Sequence, residues 1–168
     1  MKNDSSFSSK VAILCAVSAL GACIASRVIF DNPLEAIHIV KGVGLLPPMW
    51  LFDLINYAWF FLTGLSAGAI IFSTSRKRNV GIDLEKAYLG GILYIASFFL
   101  GLMHYLFFFI EQMLFISVII SFLAMLCVFL CANAWRRAHP TGAAFVMYVF
   151  SLWEFYIFFV SLSVFLNN

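Results

Sequence analysis

The sequence predicts an all-α integral membrane protein, a single-domain bundle of five transmembrane helices spanning residues 1–168. Three observations predict it. The chain is 64% hydrophobic and only 11% charged, where soluble domains carry about 25% charged residues. Its apolar residues fall into five runs, each near the ~20 residues that cross a bilayer as a helix. Its basic residues cluster at alternate ends of those runs. A mean hydropathy of +1.01 leaves no stretch for a separate soluble domain.

The first run is 11–30, after Lys10. Leu20, Gly21, Ala22 and Cys23 loosely fit a lipoprotein cleavage site. Such signals precede an exported soluble domain, and none follows, so a retained span is expected. Ser18, Ala22 and Ser26 place small residues one turn apart, a mark of helix contact in lipid. In the connection 31–48, Asn32, Pro33 and Gly42 frame a short interfacial helix with Leu34, Ile37 and Val40 on one side. Pro47 and Pro48 lead into the second run, 49–73, which holds a GxxxG at Gly64 and Gly68. Close packing within the bundle and a homodimer face both remain open for that motif. The third run, 87–110, and the fourth, 113–134, are nearly continuous. One helix across both would be about 70 Å long at about 1.5 Å per residue, more than twice the ~30 Å hydrocarbon core. Glu111 and Gln112 form the polar break, so a tight helical hairpin is expected there. The fifth run is 143–166. No internal repeat is found, and an inverted-repeat transporter gains no support.

Lys and Arg set the orientation. Side A, which carries the N-terminus, holds Lys2, Lys10, Arg76, Lys77, Arg78, Lys86, Arg136 and Arg137, and side B holds Arg27 and Lys41. The expectation is a bacterial cytoplasmic membrane, with the N-terminus cytoplasmic and the C-terminus outside. The partners implied are the lipid bilayer and a hydrophobic small molecule. A formal net charge of +2 does not suggest nucleic acid. No Ser/His/Asp arrangement or metal-ligand spacing supports a hydrolase or redox enzyme. Cys15, Cys23, Cys127 and Cys131 lie within spans and read as small apolar fillers.

Ionisable side chains inside a membrane are costly, and they pair or line a cavity. Asp53 and Asn56 lie near the side-B end of the second run, His104 near the side-B end of the third, and Glu154 near the middle of the fifth. The second and third runs are antiparallel, so Asp53, Asn56 and His104 share a depth of roughly 6–12 Å below side B. Tyr57 and Tyr105 join them. One reading is a hydrogen-bonded pair, His104 donating to Asp53, that ties two helices together. The other is a ligand pocket, with Trp50, Trp59 and Tyr57 adding aromatic surface to a few polar groups. Glu154 reads either as a neutral acid bonded across helices or as a ligand-facing or proton-handling carboxylate, and its neighbour Trp153 is an alternative pocket residue. Trp50 and Trp135 suit headgroup-level anchors, and Trp59 lies deeper. The chain is 18% aromatic, with 20 Phe, which suits a large planar ligand.

Pro47-Pro48-x-Trp50-x-Phe52 with Lys41 upstream, Phe107-Phe108 and Trp153 carry a resemblance to a known family. The chain resembles the translocator (TspO/MBR) family, the tryptophan-rich sensory proteins or peripheral benzodiazepine receptors, over almost its whole length. Gly42 replaces the family's loop proline, Asn56 a helix-two tryptophan and Val149-Phe150 a Pro-Tyr. The family's helix-three Asn and Trp fall at Leu100 and Met103, or at Gly101 and His104, depending on which Phe pair is aligned. The resemblance implies a bundle that binds porphyrins, including haem and protoporphyrin, under a first loop that acts as a lid. Light-dependent porphyrin degradation, attributed to some members, depends on tryptophans absent here, so an enzyme is not expected.

The leading expectation is a tetrapyrrole-binding membrane sensor or carrier. Its ligand site would draw on Pro47, Trp50, Asp53, Asn56, Tyr57, Trp59, His104, Trp153 and Glu154, with His104 a candidate haem ligand. The alternatives are a small proton-coupled transporter using Glu154 and Asp53, and a structural membrane subunit held by the Gly64/Gly68 face.

Overall fold

The structure is a computed structural model that describes residues 3–29, 47–75, 83–138 and 142–168, with side chains described over 10–24, 47–48, 50–73, 83–138 and 142–168. The described residues form five α-helices: α1 (Asn3–Ile29), α2 (Met49–Ser75), α3 (Leu84–Tyr105), α4 (Leu114–Ala138) and α5 (Gly142–Asn167). A π-helical turn, Leu106–Ile110, extends α3. Four stretches are long and apolar enough to cross a membrane: Trp50–Ser73, Leu84–Ile110, Leu114–Ala138 and Gly142–Asn167. In α1 the described apolar stretch is Lys10–Ile24, shorter than the ~20 residues that a span needs. The interfacial helix expected near 33–42, Lys41, Arg27 and the cluster Arg76, Lys77 and Arg78 lie outside the residues whose side chains are described.

The helices pack in the order α1–α2–α5–α4–α3, and α2 and α3 touch at few points. Small residues set the tightest contact. A Cβ on Gly64 would come within 2.7 Å of the Ala16 backbone, and one on Gly68 would meet the Ala12 backbone. The pairs 64/16 and 68/12 run in opposite directions, so α1 lies antiparallel to α2. The GxxxG residues therefore pack against α1 of the same chain.

Trp135 corrects an expectation. It is only 1% exposed and lies in the core against Gly90, where a Cβ would collide with its indole. It is no headgroup anchor. A helix-three glycine admits the ring, and Cys131 Sγ donates to Gly90 O beside it at 3.2 Å. Around it lie Val128, Met147 and Phe150, with Trp59 and Tyr94 packed alongside. Trp50, 68% exposed at the start of α2, does suit an interface position.

The expected hairpin forms where the sequence places it. Glu111 N–H donates to Leu106 O at 3.1 Å, and Met113 N–H to Phe107 O at 2.9 Å. Gln112 between them has φ 53°, the left-handed conformation that commonly ends a helix. At the other end of α3, Asp83 caps the helix through Lys86 N–H at 3.1 Å, and Asp83 N–H reaches Ala138 O at 3.4 Å. The side-A ends of α3 and α4 therefore meet.

Candidate functional site

A cavity of about 110 Å³ lies among α2, α3, the π turn and α5, with Cys23 of α1 on its wall. From α2 it takes Phe52, Asp53, Asn56, Tyr57 and Phe60. Asp53, Asn56, Tyr57 and Phe60 follow the i, i+3, i+4, i+7 pattern of one helical face, with Phe52 one turn before Asn56 at its edge. From α3 and its π turn come Gly101, His104, Phe108 and Phe109, and from α5 come Trp153, Glu154, Ile157 and Ser161. Glu154 joins the cluster because Glu154, Ile157 and Ser161 stand at i, i+3 and i+7 on α5.

Six of the nine residues expected at the site thus line one cavity: Asp53, Asn56, Tyr57, His104, Trp153 and Glu154. Pro47, Trp50 and Trp59 do not. Pro47 precedes α2, Trp50 is exposed, and the half-buried Trp59 ring lies 5.7 Å from that of Phe150, tilted against it, beside the core. Trp59 lies three residues beyond Asn56, but its ring meets the α4–α5 side.

Among the described residues, two side-chain hydrogen bonds tie helices together across the cavity. Trp153 Nε1–H donates to Asn56 Oδ1 at 3.0 Å, tying α5 to α2. His104 Nε2 lies 2.8 Å from Ser161 Oγ, tying α3 to α5. Ser161 gives its one proton to Ile157 O at 2.9 Å. The network therefore assigns the donor role in the His104–Ser161 bond to His104 Nε2–H and leaves Nδ1 as the ring's lone-pair nitrogen. This corrects the expected His104–Asp53 pair: the partner is Ser161, whose position two turns beyond Glu154 was the available sequence signal. His104 stacks on Phe108 with ring centroids 5.4 Å apart. Trp153 lies between Phe52 at 5.6 Å and Tyr156 at 5.1 Å. Glu154 faces the cavity with no hydrogen-bond partner among the described residues.

The π turn explains which phenylalanines face inward. Phe108 and Phe109 are both buried and both line the cavity, while Phe107 does not. Neighbours on an α-helix point about 100° apart, and the wider π turn brings the adjacent pair to the inner side. Such turns are common at functional sites.

Aromatic walls, two carboxylates, an amide and an imidazole in an apolar setting suit recognition of an apolar molecule with polar edge groups. Pockets for drug-sized ligands hold ~300–1,000 Å³, so about 110 Å³ requires the cavity to widen around a large planar guest. The sparse α2–α3 seam, bridged near the cavity by the Phe60–Phe98 edge contact at 5.5 Å, is where it can part. Compared with known protein families, with curated proteins and with solved structures, the chain matches none of them.

Proposed function

We propose that the protein is a membrane-embedded binding protein, a sensor or carrier, for flat hydrophobic ligands with polar edges, with porphyrins such as protoporphyrin or haem as the leading class. One observation carries this reading: polar and aromatic side chains from α2, α3 and α5 converge on one cavity inside an otherwise apolar bundle. On this reading α1 is a fifth span. Its antiparallel fit to α2 through Gly64 and Gly68 supports that. The N-terminus is then cytoplasmic and the C-terminus outside. Divergent membership of the translocator family also belongs to the proposal. If the family's Phe pair is aligned with the inward-facing Phe108-Phe109, its helix-three Asn and Trp fall at Gly101 and His104. Both line the cavity, whereas Leu100 and Met103 do not.

Titrating the purified protein with protoporphyrin tests the reading. The expected result is a shifted Soret band and quenched tryptophan emission at micromolar ligand. Neither change at that concentration would refute it. Trp153→Phe should reduce the quenching, because Trp153 is the tryptophan at the cavity.

A second reading, proton-coupled transport, is favoured by a separate observation: Asp53, His104 and Glu154 line the same cavity. Glu154→Gln should then abolish uptake into vesicles while porphyrin binding persists. Undiminished uptake would exclude it.

A further inference from the structure

A second hollow, of about 640 Å³, lies nearer side A, between α1, α2 and α3. Its existence follows from the helix order: α1 and α3 each hold a neighbour tightly, but little bridges the gap between them. Small residues widen that gap, with Ser18 and Ala22 on α1, Ala67 on α2 and Gly91 on α3. Ser18 and Ala22, which by spacing should mark a helix contact, instead border this cleft. Along α3 the cleft runs from Ala87 to Phe98, about 16 Å at about 1.5 Å per residue. Its length therefore lies along the spans, and its walls are apolar.

The side-A end of the cleft is basic. Ala87 and Trp135 line it, and the next residues along the chain are Lys86 and then Arg136 and Arg137. Both arginines are exposed in the last turn of α4, and the Asp83–Ala138 backbone bond brings the two helix ends together. Two acidic residues lie near. The Asp83 carboxylate is engaged as the α3 cap. Glu85 is 88% exposed, 4.0 Å from Lys86 Nζ, a surface pair worth little. The result is an apolar slot, open sideways to hydrocarbon, with cationic groups at its interfacial end.

We propose that this cleft holds one acyl chain of an anionic phospholipid whose headgroup phosphate meets Lys86, Arg136 and Arg137. Basic sites between helices at the membrane surface select anionic headgroups, and the chain fills a slot that the helices leave open. The site shares no lining residue with the polar cavity, lies nearer side A along the same helices and does not rest on the porphyrin reading.

Native mass spectrometry of the full chain in non-ionic detergent, titrated with phosphatidylglycerol or with phosphatidylcholine of the same acyl chains, tests the proposal. The expected result is one retained phosphatidylglycerol, favoured by at least about fivefold over phosphatidylcholine. The K86Q/R136Q/R137Q variant should bring the two lipids level. Gly91→Leu should reduce retention of both. A Cβ at Gly91 meets nothing within 4 Å, so the added side chain fills the cleft without displacing a helix. Gly21 is equally open and does not line the cleft, so Gly21→Leu should change nothing. Equal retention of the two lipids by the unaltered protein would overturn the proposal, as would full retention by Gly91→Leu. So would a dimer that Gly91→Leu dissociates, because a second copy would then occupy the cleft.

Discussion

The residue with the clearest consequence is Asn56. Its side-chain carbonyl accepts from Trp153 Nε1–H, the one acceptor for that group among the described residues, and an N–H in hydrocarbon has no water to turn to. Asn56→Leu leaves that donor orphaned. The expected loss is about 1 kcal/mol, since hydrogen bonds between membrane helices average ~0.6 and reach ~1.7 kcal/mol. A double-mutant cycle with Trp153→Phe, read by thermal unfolding in detergent, measures the coupling, and additive losses would show that the bond contributes nothing. The His104–Ser161 bond obeys the same logic, with one addition. Because Nε2 is spent on Ser161, a haem iron bound without breaking this bond would have to meet Nδ1.

Among the elements, the α3–α4 hairpin is the most sharply specified. Its chain reversal needs one residue in the left-handed region, and that residue is Gln112, with φ 53°. Glycine adopts this conformation without a Cβ clash, whereas a β-branched residue is a genuine outlier there. Gln112→Gly should hold or raise the unfolding temperature. Gln112→Val should lower the unfolding temperature and fall below Gln112→Gly in stability by at least the ~1–2 kcal/mol that an L-residue pays in this region. Equal melting temperatures for the two variants would contradict the assignment. The π turn just before it has a different role. By widening α3 at Leu106–Ile110, it turns Phe108 and Phe109 together towards the cavity.

At the scale of the whole molecule, the unequal contacts decide how the bundle can move. The α1–α2, α3–α4 and α4–α5 contacts are extensive, and α2–α3 is sparse. Parting that seam is the cheapest way to enlarge a cavity of about 110 Å³. A reducible bifunctional thiol reagent that joins cysteines placed at Phe60 and Phe98, whose rings meet across the seam, in a chain whose four native cysteines are replaced by alanine, should therefore weaken protoporphyrin binding by about tenfold or more, the factor set by ~1.4 kcal/mol. Reduction of the cross-link should restore the affinity. Unchanged affinity in the cross-linked protein would mean that the guest enters by another route.

From the sequence by itself came the membrane class, the positions of the four long apolar spans, the hairpin at Glu111 and Gln112, and the shared depth of Asp53, Asn56 and His104. Each of these follows from one-dimensional quantities: run length, polarity breaks and distance along a helix axis. The sequence alone could not say which way a side chain faces around that axis, because the spans are apolar on every side and carry no polar stripe to mark the interior. Only the tertiary structure decided that Glu154 shares a cavity with His104, that His104 bonds to Ser161, that Trp135 belongs to the core with Trp59 beside it and that α1 packs against the GxxxG residues. Those outcomes depend on helix rotation and neighbour order, which in lipid are set by steric fit between small and large side chains and not by the separation of oil from water.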